Sequence, residues 1–320
     1  MNRTTRTLVT AALAALLAGR LGHAAPLDLS TIPETVGYVA HLDVDKLAST
    51  EFWRRVEPTL MSKRRISAGI DMIERIGDIR VPEDVHDVTV FGSDYDGTGF
   101  VVVLRSAAKR ERIEGMLSMI DSYQERELPG GRVVHTWTDH KDGDVERLAA
   151  FGPSGELLVS GDEALLTQAL DVLEKKANAK SLAGQLPFES HKDDAVTVYL
   201  AGGGIGKAIG KNPDVAMFLK PVQRLWLTAR EDGPSLVMHG QVVATDAKSG
   251  ELLRNLAEGA RAFVVLFSRT ERAGERAQRG AEMLDTFKSS VDGAKIDFRW
   301  SAPSQMIEDA IQQKLDEGNR

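Results

Sequence analysis

The chain contains no cysteine. That excludes a disulfide framework, thiolate zinc sites, c-type haem attachment, iron–sulfur clusters and a thiol nucleophile. Aromatic residues are scarce at 6%, with four Trp and four Tyr, so there is little material for the aromatic-lined cleft of a glycoside hydrolase. An excess of positive charge is also missing. Forty Lys and Arg stand against 47 Asp and Glu, a formal net charge of −7. Nucleic acid is therefore not an expected partner, because holding a phosphate backbone needs clustered cations. A long apolar run is absent as well: the best one, residues 8–18, is followed by Arg20 and falls short of the ~20 residues a spanning helix needs.

What is present is a globular composition. With 42% hydrophobic residues over 320 positions, the chain can bury one large core or two modest ones. Its first residues have the order of a secretory signal peptide: basic Arg3 and Arg6, the apolar run 8–18, then Gly22-His23-Ala24 with small residues at −3 and −1 of a cleavage site. Cleavage near Ala24 and export to the periplasm or cell envelope are expected, with no transmembrane segment after removal. A retained membrane anchor is the competing reading. Loss of Arg3, Arg6 and Arg20 leaves 37 basic against 47 acidic residues, a net charge of −10.

The remainder reads as a tandem duplication. Val85–Phe91 alternates apolar and polar residues, turns at Asp94-Tyr95-Asp96-Gly97 and continues into Phe100–Leu104. Val222–Thr228 does the same, turning at Glu231-Asp232-Gly233-Pro234 into Leu236–Val242. Val36–Ala40 matches Val196–Leu200 upstream, and the strand ending in Trp137 matches the one ending in Trp300 downstream. Helical patterns close each half at residues 162–176 and 304–317. The expected fold class is α+β, with two tandem β-α-β-β-α-β-α halves in ferredoxin-like order and antiparallel sheets packed on helices. The organisation is residues 1–24 as signal peptide, 25–180 as first half with an added hairpin (148–151 and 157–160), 181–194 as linker, and 195–320 as second half. The second half carries a longer helical region, 247 to about 291. Its stripe is Leu252, Leu256, Ala260, Phe263, Val264 and Phe267, and the charged run 269–279 follows.

The stretches "ELLVSGDEALLTQALDVLEKK" (156–176) and "PETVGYVAHLDVDKLASTEFWRRVEP" (33–58) resemble a loosely defined group of exported bacterial proteins of unknown function. In that group a strand ending in Ser-x-x-Glu feeds an Ala/Leu-rich helix, and an early LDxxKL precedes a Trp-containing helix. The resemblance implies export and duplication and carries no catalytic residues.

Each local motif has a structural explanation that outweighs the chemical one. Gly202-Gly203-Gly204-Ile205-Gly206-Lys207-Ala208 lacks the first Gly of a phosphate-binding loop, since position 201 is Ala, and the Ser/Thr after the lysine. It reads as a strand-to-helix turn. Ser106-Ala107-Ala108-Lys109 matches a serine acyltransferase pair but has no partner motifs, so Ser106 is expected to cap a helix starting at Ala107. Ser160-Gly161-Asp162-Glu163 reads as a capping box. The candidate metal ligands are His135, Asp139, His140 and Asp142, with Asp144 beside them. His135 and His140 fall on opposite faces of a strand, so a polar loop is expected, with no metal and no cofactor. No catalytic or cofactor-binding residue is assigned.

The sequence therefore points to an exported, non-catalytic binding or structural accessory protein, uncharacterised as to ligand. Its partner is an unidentified envelope protein or a small ligand in a groove between the halves. The alternative is an exported hydrolase whose scattered active site carries no local motif. Perturbed carboxylates gathered in a pocket would favour the enzyme, and an exposed apolar patch would favour binding.

Overall fold

In the computed structural model, the described residues are 27–62, 84–93, 99–128, 130–140, 144–176, 179–183, 192–201, 220–268, 281–282 and 284–317. The signal-like leader, the Asp94–Gly97 turn, the glycine-rich stretch 202–208 and the charged run 269–279 lie outside them. The chain is α+β and separates into two compact units, Met1–Glu189 and Ser190–Arg320.

Unit 1 carries strands β1 (Tyr38–Asp43), β2 (Val85–Gly92), β3 (Phe100–Ser106), β4 (Gln124–Leu128), β5 (Arg132–Asp139), β6 (Val145–Phe151) and β7 (Leu157–Ser160). They form an antiparallel sheet in the order β1-β2-β3-β7-β6-β5-β4. Its helices are α1 (Val44–Ser49), α2 (Glu51–Met61), α3 (Arg110–Leu117) and α4 (Glu163–Leu173). Side-chain caps start three of them: Asp43 accepts from the Lys46 amide, Thr50 from the Trp53 amide and Asp162 from the Leu165 amide. Buried Leu165, Leu166, Ala169 and Leu170 recur three and four apart along α4, the period that keeps one helical face on the core.

Unit 2 carries β8 (Val196–Ala201), β9 (Val222–Asp232), β10 (Ser235–Ala244), β11 (Lys288–Asp292) and β12 (Lys295–Pro303), with helices α5 (Ala247–Ser268) and α6 (Ser304–Glu317). The antiparallel order is β8-β9-β10-β12-β11. At the β9–β10 turn Gly233 has φ +58°, a left-handed conformation that costs glycine nothing.

Several expectations need correction. The ferredoxin-like order would set the first and third strands of each half side by side and parallel. Instead β1-β2-β3 and β8-β9-β10 are antiparallel meanders. Alternation fixes which face a side chain takes, not which strand is its neighbour. Trp137 and Trp300 are not equivalent either. Trp300 lies on β12, directly beside β10, whereas Trp137 lies on β5, with β6 and β7 between it and β3. The hairpin read as an addition is thus inserted into the sheet.

Strands β4 and β11 were not expected, because QEREL and KSSVD lack an apolar stripe, as befits sheet-edge positions. Within the region expected to be helical to about 291, α5 is described over Ala247–Ser268, residues 281, 282 and 284 are also helical, and residues 288–292 are extended instead. Ser106 closes β3 and caps nothing, since α3 begins at Arg110 after Lys109. The cap of α4 is Asp162, while the Ser160 hydroxyl donates to the Phe100 carbonyl at 2.6 Å. Of the stretch read as linker, Ser181 bridges Pro33 and the Leu182 amide bonds the Ile32 carbonyl, so both belong to unit 1.

Candidate functional site

The residues singled out in the sequence do not converge. His135 sits on β5 and is 1% exposed. Its Nδ1 lies 2.9 Å from the Tyr123 hydroxyl, which donates to Glu125 Oε1 at 2.6 Å. A hydroxyl has one hydrogen. With it committed to Glu125, the Tyr123 oxygen accepts from Nδ1–H and the bare lone pair is left at Nε2. That atom is buried without a hydrogen bond, 3.7 Å from Glu114 Oε1. Burial lowers the His135 pKa, with the Glu114 and Glu125 charges opposing it. Burial, with the hydrogen bond to Glu125, pushes Tyr123 up to about 12. The result is a neutral imidazole packed edge-on against Phe151, a structural histidine.

Asp139 ends β5 with its carboxylate 3.8 Å from Arg147 Nε. His140 lies beyond the strand, its side chain 74% exposed, with Nδ1 2.5 Å from Asp144 Oδ1. Asp142 lies outside the described residues. Among the described residues, no three His, Cys, Asp or Glu side chains are grouped to hold a metal ion.

A buried polar row on the neighbouring strands escaped the sequence reading. His41 pairs across the sheet with Thr89, and Asp43 with Asp87, while Asp87 faces Arg105 on β3. His41 Nδ1 is 2.9 Å from Thr89 Oγ1, Lys46 Nζ is 2.8 Å from Asp43 Oδ2, and Arg105 Nη1 is 3.5 Å from Asp87 Oδ2. Burial pushes the Asp87 carboxyl up to about 6, opposed by Arg105 and reinforced by the Asp43 charge. Burial lowers His41 to about 4, helped by the Arg105 and Lys46 charges. Shifts of this kind are what catalysis uses. Yet His41, Asp43 and Asp87 are 4%, 0% and 1% exposed, so a substrate cannot reach them. The signal in the sequence was a polar pair two apart on each strand, His41-x-Asp43 and Asp87-x-Thr89, aimed at the same face.

Two surface pockets lie elsewhere. One, about 470 Å³, runs between Pro33–Thr35 and the end of α4, with Asp171 and Lys176 on its wall. The other, about 250 Å³, lies on the unit 2 sheet among Arg230, His239, Lys288, Asp297 and Arg299.

The feature without a structural explanation is α5. Its apolar side chains face out: Leu252 is 61% exposed, Leu256 41%, Phe263 69% and Leu266 65%. Lys248 and Glu251 in its first turns are exposed, but Arg254, Glu258 and Arg261 are half-buried. Glu258 accepts from the Ser289 hydroxyl at 2.8 Å, Arg261 donates to the Leu284 carbonyl at 3.0 Å, and the two face each other at 3.5 Å. At its first turn Gly250 lies against the Gly293 carbonyl, where a Cβ would come within 2.7 Å. The helix is thus held by its polar side and presents its apolar side. The sequence showed the stripe but not its direction, because the partners of Glu258 and Arg261 were invisible there.

No family model and no curated protein matches the chain. Among solved structures, the chain overlays crystal form III of TP0453 with a TM-score of 0.49 and 10% identity, over 91% of this chain and 99% of that one. Crystal form I of TP0453 overlays with a TM-score of 0.46 and 12% identity, over 90% and 98%. Among the described residues, no helix is long and apolar enough to cross a membrane.

Proposed function

We propose that this chain is an exported, non-catalytic binding or accessory protein of the periplasm or cell envelope, released from a leader cut near Ala24. The observation that carries this reading is the outward apolar face of α5. A monomer rarely leaves such a face without using it, and here four large side chains share it. The rival hydrolase would need its proton-poised groups within reach of substrate. His41 and Asp87, the groups with suitably perturbed pKa values, are enclosed.

We further read the two units as copies of one ancestral unit, with β7 and β12 as the corresponding strands. Support comes from the shared meander, from β7 beside β3 as β12 is beside β10, and from the helix that follows each. The duplication serves the binding reading by leaving unit 2 free to diverge.

The test is site-specific photo-cross-linking at Phe263 in envelope preparations of an expressing host, with a probe at exposed Met119 of unit 1 as control. Adducts formed at Phe263 and not at Met119 are expected, whether to lipid or to protein. No adducts at either position would overturn the reading. N-terminal sequencing of the recovered protein should begin within a residue or two of Ala25, and an intact Met1 would overturn the export claim.

A further inference from the structure

From the geometry of α5 we infer that its outer face docks on a lipid surface, lying flat in the interface of a zwitterionic bilayer. This rests on the binding reading above and names its partner.

Three observations separate lipid from a protein partner. The first is width. At ~100° per residue, the exposed positions 256, 259, 260, 262, 263 and 266 fan over about 160° of the helix circumference, while exposed Lys248, Glu251 and Asn255 are confined to the first turns. A helical partner meets a narrow seam of positions alternating three and four apart, whereas a lipid phase covers a wide arc. The second is chemistry. From Leu256 to Leu266 every exposed position is Leu, Gly, Ala or Phe, so that arc offers no side-chain hydrogen bond or charge with which to select a protein. The third is area. Leu252, Leu256, Phe263 and Leu266 present on the order of 500 Å² of apolar surface, short of the ~800 Å² per partner of a standard protein interface. An interfacial helix needs no such closure, because binding grows with whatever apolar area enters the headgroup boundary.

Orientation supports the same partner. An interfacial helix must lie along the surface of its protein with its polar side inward. Arg254, Glu258 and Arg261 form that side, and the latter two are tied to β11 and the Leu284 carbonyl. Charge then selects the kind of lipid. The chain's net charge is −7, and the basic residues of α5 are mostly turned away from the apolar arc. Attraction to anionic headgroups is therefore not the driving term, and binding should depend little on salt.

The experiment is flotation of the full chain with sonicated phosphatidylcholine vesicles at low and high salt. Wild type is compared with Phe263→Glu, with Leu256→Glu/Leu266→Glu, and with Met119→Glu as control, all sharing one N-terminus so that residues 8–18 contribute equally. The expected result is flotation of wild type and Met119→Glu at both salts, with at least a tenfold loss of vesicle-bound protein for the two α5 variants. Circular dichroism and urea midpoints check that those variants stay folded. Equal flotation of all four proteins would overturn the inference. So would binding only to anionic vesicles at low salt, or a dimer of the free chain that the α5 variants abolish. A dimer, or an α5-dependent protein adduct, would overturn the lipid partner while leaving the binding reading standing. Failure of every α5-dependent adduct would end both.

Discussion

Among the described residues, unit 1 buries the histidines and most of the buried charged groups, whereas unit 2 carries most of the exposed large apolar ones. In unit 1, His41, Asp43, Asp87, His135 and Glu156 are all buried, and every one of the largest fully buried side chains lies between Ile32 and Leu182. Among the described residues of unit 2 the buried apolar ones are fewer: Ala195, Ala244, Ala281 and Ala302, with Tyr199, Val222, Trp226, Val237 and Ile296. Leu252, Leu256 and Leu266, all on α5, stand in solvent. The same α+β construction thus yields one unit whose core closes on itself and one whose described residues leave apolar surface over. In unit 1 the burial of Leu166, Leu170 and Phe91 offsets the cost of a polar row. On α5 the exposed apolar surface adds little to folding, as the proposed docking requires.

The sharpest way to break this contrast is to truncate one leucine in each helix. Leu166 on α4 is 0% exposed, so Leu166→Ala removes packed methyl groups and leaves a cavity, which costs about 3 kcal/mol or more. Leu266 on α5 is 65% exposed, and Leu266→Ala should change stability by less than about 0.5 kcal/mol. Urea titrations of the two variants should differ accordingly. Equal midpoints would show that the inward and outward assignments are wrong.

The polar row gives a second, pH-dependent test. The Asp87 carboxyl rises from 3.8 to about 6 on folding. Its contribution to stability is complete below pH ~4 and is lost as pH rises through ~6. His41 falls from 6.5 to about 4, so its contribution is present above pH ~6.5 and is lost as pH falls towards 4. Each shift is worth roughly 3 kcal/mol at ~1.4 kcal/mol per pH unit, and in the window between pH 4 and 6 the two oppose each other. Asp87→Asn should leave the histidine uncompensated, so that stability drops on acidification. His41→Gln should leave the acid, so that stability rises on acidification. Comparing the two variants removes the background of other carboxylates, and parallel pH profiles would sink the assignment.

How much of this was legible in the sequence follows from what each pattern encodes. Strands β2, β3, β9 and β10 and helices α4 and α6 were readable because period 2 and period 3.6 are written directly in apolar spacing. Strands β4 and β11 were not, since QEREL and KSSVD sit at sheet edges where nothing demands apolar residues. Strand order was also hidden: β7 beside β3 is a long-range pairing that leaves no local trace. At the candidate surface, Leu252, Leu256 and Phe263 were seen as a stripe, but a stripe has no arrow. Its outward direction depends on Ser289 and the Leu284 carbonyl holding Glu258 and Arg261. The row from His41 to Arg105 was missed because its members are spread over three strands.

A third perturbation probes how unit 2 holds its sheet together. Gly240 on β10 pairs with Phe298 on β12, and the Phe298 ring covers it so closely that a Cβ there would come within 2.0 Å of the ring. Gly240→Ala must push the ring off the strand, with an expected cost of about 1–3 kcal/mol. Phe298→Leu in the same chain should recover part of that loss by vacating the space. If Gly240→Ala were neutral in a thermal melt, the ring would not cover Gly240, and the core of unit 2 would have to close in another way.

The smallest expected effect on stability belongs to the surface with the largest expected effect on binding. Phe263 is 69% exposed, so Phe263→Ser removes little buried area and should shift stability by no more than about 1 kcal/mol. A slight loss is the expected sign, because the ring is at least as exposed in the unfolded chain and the part covered in the fold is given up. If Phe263 were instead part of an interior contact, the same change would cost about 3 kcal/mol or more. A urea midpoint close to that of wild type, from a chain that no longer cross-links or floats, would separate folding from binding at one residue. A large drop in the midpoint would mean that α5 is a core helix after all, and the contrast between the units would collapse with it.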